Sequence, residues 1–370
     1  MTPTPDRAPN YWDYLRLEDL LQLQGGLEQD ESRLMPDELH FVVVHQVFEL
    51  WFKLCLREMR HARDDLREPE VPEERVPFVV HHLGRVAEII KLMVQQWSVM
   101  ETLTPQDFLA FRDKLVPASG FQSFQMREIE LVLGMDESER LHYGGVDPLD
   151  HIVETANGSP SGEFVKNRIE SARREATLRD ALHAWLRRTP IQGSNPGDPD
   201  DAARVDEFLQ AYLDAYRTSQ DAMAARLETA SVADADALRA RVEATVEAAR
   251  RFLTAEDVPD ARREDVRRMR AGLLFVESYR DLPLLAWPRR LIDAVVEVEE
   301  QFVLWRHRHA RMTERTIGRR VGTGGSSGVD YLDEAARGRI FPELWAVRSL
   351  LLPREVLPPL RDPASYGFAR

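Results

Sequence analysis

The chain has 370 residues, of which 43% are hydrophobic and 30% charged, and its formal net charge is −14. The excess of acidic side chains argues against broad binding to nucleic acids or anionic membranes, so we expect partners of neither kind. The low cysteine content fits a reducing compartment, so we expect a cytoplasmic protein. Cys55 is the only cysteine, which excludes an internal disulfide and any zinc or iron–sulfur site built from cysteines.

Hydrophobic periodicity is helical along almost the whole chain. Helices are predicted over residues 15–24, 37–66, 76–101, 105–115, 121–134, 165–187, 201–228, 233–253, 262–280, 288–320 and 341–352. The helix over 37–66 is apolar nearly all round, so we expect it at the centre of the fold. The sequence therefore predicts an all-α protein, with one helical-bundle domain over residues 1–370 and accessory helices. Residues 195–262 are predicted to form a peripheral helical insertion.

The predicted central helix carries three polar residues on one face. His45, Glu49 and Lys53 lie at positions i, i+4 and i+8, which share a side of a helix. One interpretation is a solvent-facing edge or a hydrogen-bonded core histidine. The other is a histidine presented into a pocket beside Phe41 and Phe52. Periodicity leaves both open.

A second pair of histidines lies in the basic stretch 305–312. His307 and His309 are two residues apart on a predicted helix, so they point in different directions and cannot easily bind one metal ion together. One of them could be an axial ligand, because imidazole is a common ligand of haem iron. The alternative is a basic, solvated helix face.

Two features are suited to a small anionic ligand. The glycine-rich loop 322–328 lacks the Lys-Ser/Thr of a phosphate-binding loop, and its composition is that of a flexible linker. Its backbone N–H groups and hydroxyls could nevertheless approach a carboxylate. Arg112 is a natural bidentate partner of a carboxylate, although one arginine among many is weak evidence.

A di-iron site is a competing interpretation of the acidic and histidine residues. Glu-x-x-His occurs as Glu58 with His61 and as Glu139 with His142, and paired motifs of this kind build di-iron sites in helical bundles. The second pair lies in a charged stretch typical of an exposed turn. In so acidic a chain such pairs also arise by chance.

Several blocks of sequence, in order, resemble the tryptophan 2,3-dioxygenase family. The resemblance lies in the combination, order and spacing of the blocks, which span about residues 11–135 and 265–355. The blocks are residues 11–17 (YWDYLRL), 37–41 (DELHF), 45–51 (HQVFELW), 96–102 (QWSVMET), 111–112 (FR), 119–123 (SGFQS), 305–309 (WRHRH), 322–328 (GTGGSSG) and 331–332 (YL). Trp12, Pro36 and His40 depart from the residue types that the family usually carries there.

The resemblance implies a haem b enzyme that opens the indole ring of L-tryptophan with O2 to give N-formyl-L-kynurenine. His309, fourteen residues before Thr323, would be the axial ligand of the haem iron, and Trp97, Ser119 and Gly120 would also contact the haem. His45 would be the catalytic distal histidine that faces the indole N–H. The expected substrate contacts are Phe41, Val42, Val43, Val44, His45, Phe108, Arg112, Ser119 and Thr323.

The resemblance also implies a homotetramer. An N-terminal arm, residues 1–24, would reach a neighbouring subunit, where Tyr11, Tyr14 and Leu15 would close the pocket. Arg112 would hold the carboxylate of the substrate, and Thr323 its ammonium or carboxylate.

Two other functions compete with the dioxygenase. The first is a haem-dependent monooxygenase of an indole or another aromatic ring on the same scaffold. The second is a helical interaction or haem-sensing protein without turnover. The set of His45, Arg112 and Thr323 argues against a sensor, because a sensor needs no site for a zwitterion.

Overall fold

The computed structural model describes residues 8, 10–137, 140, 147–230, 234–324 and 328–367. Within these ranges the regular structure is helical, apart from one isolated bridge between Ile191 and Ser194, which confirms the all-α prediction. The first eight helices are α1 (Tyr11–Leu15), α2 (Leu17–Leu20), α3 (Glu38–Arg67), α4 (Val76–Met100), α5 (Pro105–Phe111), α6 (Phe124–Leu133), α7 (Pro148–Ala156) and α8 (Gly162–Arg174). The others are α9 (Leu178–Arg187), α10 (Asp201–Thr229), α11 (Ala235–Leu253), α12 (Asp260–Ser278), α13 (Ala286–Ile317), α14 (Val329–Ala335) and α15 (Pro342–Arg348).

The core is organised around α4, which packs against both α3 and α13. Aromatic side chains from the three helices meet there: the ring centroids of Phe48 and Trp97 lie 4.4 Å apart, and those of Trp97 and Trp305 5.5 Å apart. The central position predicted for the 37–66 helix therefore belongs to α4. Helix α3 buries one face and leaves apolar side chains such as Val43 and Leu50 40% and 50% exposed on the other.

Helix α3 is also long and apolar enough, by length and composition, to cross a membrane. In the structure it is part of the bundle: it packs against α4, α6 and α9 and places Phe48, Phe52 and Met59 in the core.

The short helices around the cavity described below begin at side-chain caps. Thr104 accepts a hydrogen bond from the backbone N–H of Asp107 at the start of α5, and Ser123 accepts one from Met126 at the start of α6. Helix α6 ends at Gly134, whose φ of 109° lies in the left-handed region. A short 3₁₀ turn, Gly120–Gln122, precedes α6 and is closed by a capping box between Ser119 and Gln122.

Several predicted boundaries were wrong. The helix predicted over 165–187 is two helices, α8 and α9, because Glu175 leaves the helical conformation and Thr177 caps α9. The helix predicted over 15–24 is replaced by α1 and α2, which are separated by Arg16 at a φ of 52°. Helices α7 and α14 were not predicted.

The accessory helices are attached in two ways. Helices α7 and α8 form a small second core from Leu149, Ile152 and Ile169. In the 195–262 segment, α10 places Phe208 and Tyr212 in the main core, and α11 packs on α10. That this segment is an insertion stays a prediction.

Candidate functional site

One cavity has walls made mainly of apolar and aromatic side chains, and it opens between α3, α4, α5, α6, α13 and two loops. Many of the residues predicted for the site line it, although they are as much as 282 positions apart in the chain. They are Phe41, His45, Trp97, Phe108, Arg112, Ser119, Gly120, His309 and Thr323.

Helix α3 supplies one wall through a single face. Phe41, His45, Phe48 and Phe52 follow the i, i+4, i+7, i+11 spacing that aligns side chains along a helix. The Nδ1 atom of His45 lies 2.7 Å from the carbonyl oxygen of Phe41, so Nδ1–H donates and Nε2 carries the free lone pair. Burial lowers the pKa of His45, so the ring is neutral near pH 7. The histidine is thus presented into a pocket, whereas Lys53 is exposed.

His309 lies on α13 and faces the same cavity. Its ring is stacked on the indole of Trp97, with centroids 4.8 Å apart and planes 1° from parallel. Burial lowers the pKa of His309 to about 3, and the neighbouring His45 adds to the effect. Among the described residues neither ring nitrogen of His309 has a hydrogen-bond partner, whereas His307 points to solvent. A neutral, half-buried imidazole of this kind is a competent metal ligand.

The polar end of the cavity is built from two loops that touch. Arg112 donates from a guanidinium nitrogen to the carbonyl of Val321, and Thr323 Oγ1 donates to the carbonyl of Ala118 over 2.6 Å. Gly324 lies so close to Ser119 that a Cβ atom on it would come within 2.7 Å of the serine Cβ. The glycine-rich loop is therefore held against the residues that precede α6. Its residues 325–327 lie outside the described part of the chain.

Three charged side chains that line the cavity were not identified from the sequence. Arg127 and Glu130 of α6 form an ion pair of 2.7 Å, and Arg306 of α13 donates to the carbonyls of Ala335 and Gly338. All three charged side chains line the cavity. The i, i+3 spacing of Arg127 and Glu130 was visible in the sequence, but nothing there indicated that this pair is buried. Glu49, noted only as part of a polar stripe, also lines the cavity.

Other predicted site residues lie elsewhere in this chain. Val43 is on the exposed face of α3, while the backbone carbonyl of Val44 accepts from Gln96 Nε2 over 3.0 Å. These two residues and Val42 are rotated away from the wall formed by Phe41 and His45, and none of the three lines the cavity. Their role as substrate contacts stays a prediction.

The described residues of the N-terminal arm do not line the cavity of their own chain. Tyr11, Tyr14 and Leu15 lie in α1 and are 70%, 79% and 43% exposed. Contact with a neighbouring subunit is the arrangement predicted for them, and it stays a prediction.

The described part of the structure does not support the di-iron interpretation. Both carboxylate oxygens of Glu58 are engaged, one by His82 Nδ1 at 2.6 Å and one by Arg85 at 2.9 Å. Glu139 and His142 lie outside the described residues. Within the described ranges no cluster of three or more acidic, histidine or cysteine side chains could hold a metal ion.

The cavity residues fit a haem. A haem needs an apolar slot and an axial imidazole. His309 supplies an unengaged imidazole, and Phe48, Phe52 and Trp305 supply apolar walls. The indole N–H of Trp97 and that of Trp305 are buried without an acceptor in the described structure, as expected where a bound group completes the environment.

Comparisons with known proteins agree on one family. A family model described as tryptophan 2,3-dioxygenase matches residues 5–351. The chain is 47% identical to tryptophan 2,3-dioxygenase 2 of Ralstonia nicotianae, over 97% of this chain and 98% of that protein. It is 46% identical to a tryptophan 2,3-dioxygenase of Sorangium cellulosum, over 97% and 87% of the two chains. A tryptophan 2,3-dioxygenase of Bdellovibrio bacteriovorus is 34% identical, over 95% of each.

Proposed function

The chain belongs to the tryptophan 2,3-dioxygenase family, and we propose that it opens the indole ring of L-tryptophan with O2 as a haem b enzyme, giving N-formyl-L-kynurenine. The observation that carries the proposal is the convergence of His45, Arg112, His309 and Thr323 on one cavity. The cavity has the two parts that an aromatic amino acid needs. One is an apolar slot for the ring, and the other is a small number of polar groups placed to bind the zwitterion.

His309 is the proposed axial ligand of the haem. Haem b, when bound there, supplies the iron chemistry that activates O2. The parallel indole of Trp97 fixes the plane of the imidazole, and burial keeps the ring neutral. Trp97, Ser119 and Gly120 line the same cavity and are the proposed further contacts of the cofactor.

His45 is the proposed catalytic histidine. Because its Nδ1–H is held by the Phe41 carbonyl, its Nε2 lone pair is directed away from the helix and can accept the indole N–H. The lowered pKa keeps that lone pair available at neutral pH. Phe41, whose ring centroid is 4.0 Å from that of His45, offers a flat apolar surface for the indole.

The zwitterion of the substrate is assigned to the polar end. Arg112 can take the carboxylate through two N–H groups, and the Thr323 and Ser119 hydroxyls lie on the loops that meet beside it. Phe108, which is buried next to Phe41 and Phe111, closes the apolar side.

We also propose a homotetramer in the cytoplasm. Helices α3, α4 and α13 carry apolar side chains that this chain leaves about half exposed, among them Leu50, Leu92, Val99 and Leu304. Apolar side chains left exposed in this way would be covered in an interface with another copy of the chain. The exposed aromatic residues of α1 are suited to reach a neighbouring copy. A single buried thiol, Cys55, is in keeping with a reducing compartment.

The test is the reaction of the haem-reconstituted protein. The protein is reduced under nitrogen and then given L-tryptophan and air. We expect a Soret band and growth of N-formyl-L-kynurenine without consumption of reductant. Haem binding with a hydroxylated indole as the product would replace the dioxygenase by the monooxygenase alternative. A protein that binds no haem would overturn both.

A variant of Arg112 tests whether this residue binds the carboxylate of the substrate. Arg112→Ala removes the guanidinium, so we expect KM for L-tryptophan to rise about 10- to 100-fold, the effect of losing a charged hydrogen bond. The matched control is Arg320→Ala, an exposed arginine near the same loop, which should leave KM unchanged. An unchanged KM in Arg112→Ala would remove this residue from the carboxylate site.

A further inference from the structure

We propose that Glu49 is a positioning residue of this site: its carboxylate fixes the 119–125 segment, which carries Ser119 and Gly120, against the helix that carries His45. The kinetic part of this inference rests on the proposed function. Its structural part rests on contacts that exist in the chain itself.

Glu49 lies one helical turn after His45 and lines the same cavity. One carboxylate oxygen accepts the Ser123 hydroxyl over 2.6 Å, and the other accepts Gln125 Nε2 over 2.8 Å. Gln125 Nε2 also donates to the backbone carbonyl of Glu49 over 2.8 Å. Three hydrogen bonds therefore join this one position of α3 to the start of α6.

The other hydrogen bonds of Ser123 and Gln125 determine which partner donates to Glu49. Ser123 Oγ accepts the N–H of Met126 as the cap of α6, so its single proton is left to donate to Glu49. Both protons of the Gln125 amide nitrogen also go to Glu49. A carboxylate at position 49 therefore accepts from both side chains at once.

The carboxylate has no cationic partner in the described part of the chain. No Lys or Arg nitrogen there lies within 4.0 Å of it, and Lys53 on the same face is exposed. Both oxygens are instead taken by neutral donors. The contacts thus point to a geometric task, in which acceptor position matters more than charge.

On its other side, the 119–125 segment contacts the glycine-rich loop, so its position affects both ends of the site. Ala118, next to the segment, accepts from Thr323, and Ser119 packs against Gly324. The segment is consequently held between α3 on one side and the glycine-rich loop on the other. Through it, Glu49 sets the distance from His45, which faces the indole, to Thr323, which faces the zwitterion.

Substitutions at Glu49 separate the two possible tasks. Glu49→Ala removes both acceptors, so we expect KM for L-tryptophan to rise about tenfold with a smaller change in kcat, since misplaced binding groups cost affinity first. Glu49→Gln keeps the length of the side chain and one acceptor oxygen for Gln125, and its amide nitrogen can donate to the second lone pair of Ser123 Oγ, so most of the affinity should return. Ser123→Ala should change KM in the same direction as Glu49→Ala.

The experiment uses the haem-loaded protein. We would measure kcat and KM, and also the dissociation constant of L-tryptophan from the shift of the Soret band without turnover. Thr177→Ala is the matched control for Ser123→Ala, because Thr177 caps α9 in the same way but lies outside the cavity lining. The expected order of affinity is wild type, then Glu49→Gln, then Ser123→Ala and Glu49→Ala, with Thr177→Ala like the wild type.

Two results would overturn the proposal. If Glu49→Gln binds L-tryptophan as weakly as Glu49→Ala, charge and not geometry is what position 49 provides. If Ser123→Ala binds as tightly as Thr177→Ala, the link to the segment has no effect on the site. The second comparison decides the matter even where Glu49→Ala fails to fold or to hold haem.

A failure of the proposed function would look different. In that case the wild type forms no N-formyl-L-kynurenine, while the link itself is tested by thermal unfolding of Glu49→Ala, Ser123→Ala and the double variant. Shifts of the unfolding midpoint that are clearly less than additive support the contact. Additive shifts would refute it.

Discussion

At the scale of single residues, His307 and His309 differ in environment although two positions separate them. We predict that His309→Ala cannot retain haem, because it removes the one unengaged imidazole of α13 that faces the cavity. His307→Ala is the control, since that side chain is exposed. The measurement is the haem content per chain after reconstitution. A His309→Ala protein with a normal five-coordinate spectrum would contradict the assignment.

Glu277 gives a prediction about pH. Its carboxylate is buried near the end of α12, neither oxygen accepts a hydrogen bond within the described structure, and Arg280 lies 3.9 Å away. Burial raises the pKa of Glu277, although Arg348 and Arg280 oppose the shift. The folded state therefore holds the proton more tightly than the unfolded state. Stability from this group is complete below the ordinary glutamate pKa and is lost as pH rises through the raised value.

Glu277→Gln removes this dependence on pH. The unfolding temperature of the variant, minus that of the wild type, should increase between pH 5 and pH 8. Glu300→Gln, an exposed position on α13, should show no such trend. If the difference for Glu277→Gln stays constant over that range, the carboxyl group does not titrate as proposed.

A site residue could be predicted from the sequence only where the pattern that reveals it lies within one element. His45 and Phe41 share one helix face, and that spacing is visible in the sequence. Arg306 gave no such signal, because the carbonyls that accept from it, Ala335 and Gly338, lie about 30 positions away. The same holds for Glu49, whose partners Ser123 and Gln125 are contributed by another helix.

At the scale of helices, the long periodic elements were predictable and the breaks were not. The predicted 37–66 and 76–101 helices differ from α3 and α4 by one residue at the ends. The break between α8 and α9 is fixed by tertiary contacts: Glu175 accepts from Arg60 and Arg63 of α3. Hydrophobic periodicity contains no information about such contacts.

Glu299 holds the helix that carries His309 to the C-terminal part of the chain. Its buried carboxylate accepts from the backbone N–H groups of Ile340 and Phe341 and from the indole N–H of Trp345. Glu299→Ala would leave two buried backbone donors and the half-buried indole N–H of Trp345 without an acceptor, so we expect a loss of about 3 kcal/mol in the free energy of unfolding. Denaturant titration measures it.

The neighbouring carboxylate is the control for this change. Glu300→Ala alters the same helix at an exposed position and should leave the free energy of unfolding within about 0.5 kcal/mol of the wild type. Equal losses in the two variants would show that the buried hydrogen bonds contribute nothing measurable.

At the scale of the whole molecule, the exposed apolar side chains of α3, α4 and α13 predict an assembly. Leu50→Glu places a charge among them and should lower the molar mass measured by light scattering after gel filtration. Met223→Glu, at a similarly exposed methionine on α10, should leave the mass unchanged. A wild type that runs as a monomer, or a Leu50→Glu protein with unchanged mass, would contradict the proposed tetramer.

The hydrogen bond from Arg112 to the Val321 carbonyl has a consequence for the whole binding equilibrium. One nitrogen of Arg112 is held by this carbonyl, whereas its Nε has no hydrogen-bond partner in the described structure, so N–H groups remain for the substrate carboxylate. The carbonyl thus acts as a tether that fixes the direction of the guanidinium before the substrate arrives. In the proposed reaction, a change that shifts residue 321 would turn the guanidinium and alter the apparent dissociation constant, although residue 321 itself would contact no substrate atom.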